Sequence, residues 1–161
     1  MGYYDTAQVC INGHVITNRA EGSPNLKKDF CTKCGAKTIT NCPSCNAKIN
    51  GKYIVPGVLS VSTNFTADAF CYNCGKPYPW TEEKLNSANE LLALEDSLSQ
   101  DELDYFKENL NSVLVDTPKT KVVATKLKLA IAKTSSAVGS ALRDIVVDIA
   151  SETAKKIIFP E

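Results

Sequence analysis

The chain has 161 residues and a single histidine, His14. That scarcity excludes a good deal of chemistry. No second imidazole is present to act as a base, so Ser–His and Cys–His nucleophilic pairs are ruled out. No glycine-rich phosphate loop occurs either; Gly22, Gly51 and Gly57 stand alone in the sequence and read as turn glycines. No apolar run approaches the roughly 20 residues that span a bilayer. Residues Met1–Thr6 carry no basic or apolar leader, so no secretory signal is expected and the chain reads as cytoplasmic. The same residues fit the loose Met-Gly-x-x-x-Thr acylation pattern, but nothing nearby supplies the second signal that stable anchoring needs. Net charge is lacking too: 18 Lys and Arg balance 18 Asp and Glu.

What the chain does have is cysteine. Seven are present, and without a signal segment they point to a reducing compartment and metal ligation, not disulfides. The odd count agrees, since a disulfide framework would strand one thiol. With His14 they form four short pairs: Cys10-x3-His14, Cys31-x2-Cys34, Cys42-x2-Cys45 and Cys71-x2-Cys74. Eight such donors make two tetrahedral sets, the requirement of two structural zinc ions, and leave no position open for a catalytic water. Turn chemistry fits the same reading. Gly35, Asn46 and Gly75 follow the second cysteine of their pairs and tolerate a positive φ, and Gly13 does similar work before His14. Pro43 pre-sets a turn angle inside the third pair.

Residues 38–40, 53–55 and 58–61 are β-branched, aromatic or apolar and read as short strands, the last two joined by a Pro56-Gly57 turn. Asn18 to Asn25 reads as a loop. Residues 1–80 are therefore expected to form a tandem zinc-ribbon module in which metal replaces a hydrophobic core. Sequential pairing gives one ion to Cys10, His14, Cys31 and Cys34 and the other to Cys42, Cys45, Cys71 and Cys74. A cross-braced arrangement joins the first pair with the third and the second with the fourth. The 7 residues between Cys34 and Cys42 favour the sequential version as a natural connector.

Three stretches carry a resemblance: residues 4–14 (YDTAQVCINGH), 30–39 (FCTKCGAKTI) and 71–81 (CYNCGKPYPWT). Over residues 3–85 the chain resembles an uncharacterised bacterial family of small double-zinc-ribbon proteins. The resemblance implies a bacterial, cytosolic, zinc-binding protein and carries no assigned activity.

Residues 81–161 read as an α-helical domain, giving an α+β chain of two ribbons followed by a helical bundle or a long C-terminal helix. Pro77-Tyr78-Pro79-Trp80 is a stiff joint, read either as an exposed aromatic surface or, preferably, as structure. In the structural reading Thr81 caps a helix over 82–98, with Trp80 stapled to Leu85. Leu85, Ala88, Leu91, Leu92 and Leu94 give that helix its apolar stripe. Ser99-x-x-Glu102 is a capping box opening a helix over 100–115, whose apolar face is Leu103, Phe106, Leu110, Val113 and Leu114. Thr117-Pro118 opens a third segment to about 158, one helix or two pieces broken near Gly139. Leu127, Ile131, Val138, Leu142, Ile145, Ile149 and Ile157 form its stripe.

The zero net charge conceals segregation. Residues 1–80 carry 8 basic against 4 acidic residues, 81–116 carry 2 against 10, and 117–161 carry 8 against 4. Two loaded zinc sites would lower the first segment from +4 to about +1. Lys119, Lys121, Lys126, Lys128 and Lys133 form a basic run without an acid, expected to pack beside the acidic helices, with partner binding or an anionic surface as alternatives.

The function these features favour is a non-enzymatic adaptor or regulatory module: two structural zinc ions in the ribbons, and a helical half that docks a protein partner or self-associates. The alternative is a nucleic-acid-binding regulator, with Lys27, Lys28, Lys33, Lys37, Lys48, Lys52 and Lys76 lining one face. An enzyme with an unrecognised site is the remaining, weaker reading.

Overall fold

The computed structural model describes residues 1–61 and 64–160. It divides the chain into two units, Met1–Glu82 and Glu83–Glu161. Among the described residues the first unit holds β1 (Tyr3–Thr6), β2 (Gln8–Cys10), β3 (Val15–Thr17), β4 (Thr38–Ile39) and β5 (Asn50–Ile54). β1 pairs antiparallel with β5, and β2 lies between β3 and β4 in a second antiparallel sheet. Ala7 sits at the junction between β1 and β2, fully buried, with its amide donating to the Ile49 carbonyl at 2.8 Å. A side chain at Gly51 would collide with the Asn18 carbonyl and the Thr6–Ala7 backbone, so only glycine lets β5 pass between the end of β1 and Asn18.

The unit's apolar cluster is small: Ala7, Val9, Ile49, Tyr78 and Trp80, together with Cys42 and Cys71. Sequence reading missed β1 to β3, whose short segments carry too little alternation to stand out. It also placed a strand over Val58–Val61 that does not form. Gly57, at φ +81°, turns the chain away, and Val58, Leu59 and Val61 stay exposed with no partner strand.

The helices are α1 (Pro79–Ala93), α2 (Gln100–Asn109), α3 (Thr120–Ala132), α4 (Ser136–Ile149) and α5 (Glu152–Ile158). α2 runs on into a 3-10 turn over Leu110–Leu114. Thr81 is not the N-cap of α1. The helix starts at Pro79, the first-turn position that needs no amide donor, and the Tyr78 carbonyl accepts from the amides of Thr81 and Glu82. The Thr81 hydroxyl donates to the Ala69 carbonyl at 2.9 Å, and Trp80 is buried in the first unit's cluster, so it does not form the expected N-terminal staple. α1 ends at Ala93, five residues before Leu98, and Leu94 is exposed.

The third segment is three helices. α3 begins two residues later than Pro118 because the buried Thr120 hydroxyl is tied to the carbonyls of Ser112 and Val115. The break lies at Thr134–Ser135, not at Gly139. Ser135 caps α4 by accepting from the Val138 amide, and its own amide donates to Glu95 at 2.8 Å. Gly139 lies inside α4, where a Cβ would press on Thr134 Oγ1 at 3.1 Å, so the glycine lets the corner close. Ser151 caps α5, and its amide donates to the Val113 carbonyl at 2.8 Å. The first of these corners interrupts the expected apolar stripe between Ile131 and Val138, and the second between Ile149 and Ile157. The core of this unit gathers Ala88, Leu92, Leu98, Phe106, Leu110, Val113, Val123, Leu127, Leu142, Val146 and Ile158. The basic helix α3 lies beside acidic α2: Lys133 pairs with Glu102 at 3.1 Å, and Lys126 stands 4.0 Å over the Tyr105 ring. Among the described residues, no helix is long and apolar enough to cross a membrane.

Candidate metal centre

The four pairs adopt one local geometry. In three of them the first cysteine's amide donates to a carbonyl five residues on: Cys31 to Ala36, Cys42 to Ala47 and Cys71 to Lys76, at 2.8, 2.8 and 2.9 Å. The amides of Gly35, Asn46 and Gly75 return to the carbonyl of that first cysteine at 2.8–2.9 Å. Closing so tight a loop requires a left-handed residue, and φ is +73° at Gly35, +65° at Asn46 and +74° at Gly75. A short antiparallel bridge seals each base: Phe30 with Lys37, Asn41 with Lys48, Phe70 with Pro77. The first pair, Cys10 and His14, is a variant, with Cys10 N donating to His14 O at 2.9 Å and Gly13 at φ +96°.

This geometry brings the eight side chains into two groups. Cys10, His14, Cys31 and Cys34 form one, and Cys42, Cys45, Cys71 and Cys74 the other, each with its donor atoms within 4.8 Å of one another. The grouping is sequential, not cross-braced. Donor spacing tests whether an ion fits. Tetrahedral bonds of about 2.3 Å to sulfur and about 2.05 Å to nitrogen place sulfurs about 3.8 Å apart and a sulfur about 3.6 Å from the nitrogen. Cys10 Sγ lies 3.7 Å from Cys34 Sγ, Cys42 Sγ 3.8 Å from Cys74 Sγ, and Cys45 Sγ 3.6 Å from Cys71 Sγ. His14 presents Nδ1, at 3.5 Å from Cys10 Sγ and 3.6 Å from Cys31 Sγ. Both groups fit a four-coordinate ion, and both can hold a metal.

The surroundings favour thiolates. Amides of His14, Lys33 and Asn73 point at Cys10, Cys31 and Cys71 sulfurs at 3.3–3.4 Å, and Asn12 Nδ2 reaches Cys34 Sγ at 3.4 Å. The Ala36 backbone and the Asn12 carboxamide bring the Cys34 thiol down to about 6. Backbone hydrogen bonding within its knuckle, from Cys74 and Asn73, does the same for Cys71, also to about 6. Cys74 goes the other way. The Lys76 amide pulls it down, but desolvation and the sulfurs of Cys42, Cys45 and Cys71 push it up to about 11. Four thiols this close cannot all ionise without a cation among them, and a divalent ion supplies that compensation.

Behind the second group, Tyr78 stacks on Trp80 with ring centroids 4.7 Å apart, and Trp80 Nε1 donates to the Asp68 carbonyl at 3.0 Å. Burial and the neighbouring Cys71 raise the Tyr78 hydroxyl above the ordinary phenol range. The same tryptophan lies under the first group, since a Cβ on Gly13 would meet Trp80 Cβ at 3.0 Å. One aromatic pair thus supports the turn before His14 and packs against Cys71. The sequence marked these aromatics as structural or exposed without indicating that they join the two donor groups.

No curated protein and no solved structure matches the chain. A family description does match, over residues 3–158, and so runs through the helices well past the residues 3–85 in which the sequence resemblance was legible. The chain therefore belongs to the bacterial family described as "Uncharacterized protein conserved in bacteria (DUF2321)".

Proposed function

We propose that the protein is a non-enzymatic adaptor or regulatory module. In this reading two structural zinc ions fold the first unit as tandem zinc ribbons, and the helical unit docks a protein partner or a second copy. The observation that carries it is the saturation of both donor groups: four ligand atoms at tetrahedral spacing leave no coordination position for water or substrate. Zinc suits both donor sets, three thiolates with one imidazole and four thiolates, because thiolate-rich tetrahedral sites without redox demand are its usual home. Support for docking comes from α3 and its neighbour. Leu129 is 61% exposed beside a groove of about 500 Å³ lined by Tyr105, Phe106, Lys126 and Lys133. Such a groove receives an apolar side chain at the centre of an interface.

Native mass spectrometry of protein purified without chelator tests this directly. Two zinc ions per chain on a dimer, or on a complex with a co-purified protein, is the expected result. A zinc-free chain, or a bare monomer carrying two zincs, speaks against it at the metal and docking steps respectively. Cys42→Ser and Cys74→Ser should each carry one zinc fewer.

A further inference from the structure

We infer that the first unit carries a binding site for a short stretch of single-stranded nucleic acid, centred on Phe30. This goes beyond the adaptor reading and does not depend on the helical unit. Phe30 precedes the Cys31 knuckle and is 63% exposed, whereas Phe70, which precedes the Cys71 knuckle, is half-buried. The knuckle architecture therefore does not require Phe30 to face solvent. Its bridge partner is Lys37, and the two residues line the same groove. A groove of about 420 Å³ runs here, lined by Lys27, Asp29, Phe30, Lys37 and Thr38 with Gln8 beneath.

The platform is held rigidly. Gln8, 5% exposed, donates to the Lys28 carbonyl at 2.8 Å and accepts from the Lys28 amide at 3.0 Å. Thr38 adds its hydroxyl to the Lys28 carbonyl at 2.6 Å and its amide to the Asp29 carbonyl at 3.2 Å. A buried glutamine and a threonine thus fix residues 28–30, which lowers the ordering cost of any ligand that settles on them.

Charge selects the ligand. Of the first unit's acids, Asp5 is buried against Arg19 and the amides of Thr6, Glu21 and Gly22, and Glu21 pairs with Lys48. The acids left facing solvent are Asp29, Asp68 and, at the unit's last residue, Glu82, while Lys27, Lys28 and Lys37 have no ion pair among the described residues. The net charge of the segment conceals this separation. An exposed aromatic face flanked by lysines recognises a base that stacks and a phosphate that pairs. A duplex offers no free base face, and an acidic peptide makes no use of the ring.

The test is fluorescence anisotropy of a labelled 12-residue oligo-dT with the full zinc-loaded chain, from low to moderate salt. Binding should weaken with salt at a log–log slope of about −1.4, two phosphates at about 0.7 each. Phe30→Ala should weaken it about tenfold, Phe30→Tyr should retain it, and Lys27→Ala with Lys37→Ala should flatten the slope. Zinc content and circular dichroism verify folding, and the lysine pair remains a test should Phe30→Ala misfold. No binding at low salt overturns the inference. So does equal affinity for a duplex, or equal affinity for a poly-glutamate peptide with indifference to Phe30→Ala; that last outcome would make the surface one for acidic proteins.

Discussion

Asn46 shows how much one backbone angle governs here. It is the non-glycine residue with positive φ among the described residues, +65°, and it occupies the position that Gly35 and Gly75 fill in the other knuckles. Asparagine and alanine crowd the following carbonyl with the same Cβ, but asparagine's short polar side chain can offset that by bonding locally and alanine's cannot. Asn46→Ala should therefore destabilise the second donor group by up to about 1 kcal/mol, and Asn46→Gly should leave it intact. A zinc-chelator competition on the two variants reads the difference; equal zinc retention would show that the knuckle does not depend on that angle. The donors themselves were legible because each ligand pair comes with its own turn residue, so spacing and backbone chemistry repeat one message four times. The Tyr78–Trp80 stack was not legible in that way, since contact between the two donor groups depends on where the chain folds back after residue 70.

Among the elements, the helices show what sequence periodicity reveals and what it hides. The Ser99–Glu102 box is present as read: Glu102 N donates to Ser99 Oγ and Ser99 N to Glu102 Oε1, both at 3.2 Å. Leu127 and Leu142 are fully buried as the apolar stripe implies. The corner after α3 was read only as one of two alternatives, a break near Gly139, and the corner after α4 was missed, because an apolar stripe continues across both; only the capping serines at 135 and 151 mark the breaks, and serine alone is a weak signal within a helix. Two carboxylates fasten the corner after α3 and supply a pH dependence. Glu95 accepts from the Ser135 amide, and Glu102 from Ser99 and Lys133. Both lie below the ordinary value of 4.5, Glu95 through the Ser135 amide and Glu102 through the Ser99 amide followed by Lys133. A carboxyl depressed in the folded state contributes stability that is fully present above its unfolded value and is lost as pH falls through the folded one. Urea unfolding of the helical signal should therefore shift to lower midpoints below about pH 4.5. The Glu95→Gln, Glu102→Gln double variant should flatten that decline, and an unchanged pH profile in the variant would assign acid sensitivity to other groups.

Across the whole molecule, the two units draw stability from different sources. The first contains both donor groups and a cluster of few residues, so its folding is expected to depend on the ions those groups can hold. The second has a continuous apolar core of 15 buried residues and no cysteine, so its helices should form without metal. Stripping metal from the full chain with a strong chelator should separate the two. The single tryptophan, Trp80, is only 7% exposed within the first unit's cluster, so its emission should shift to the red as that cluster opens to water. Far-ultraviolet helical ellipticity, dominated by α2 to α5, should fall little over the same titration. Acidification should act in the same direction on the first unit, because protons compete with the ion for the thiolates, and adding zinc at neutral pH should restore the blue-shifted emission. If chelation instead abolished helical signal and tryptophan burial together, the ions would be holding both units, and the helices would have to be read as dependent on the ribbons. If neither signal moved, the Tyr78–Trp80 cluster would be folding unit one on its own and the thiolate groups would serve something other than structure.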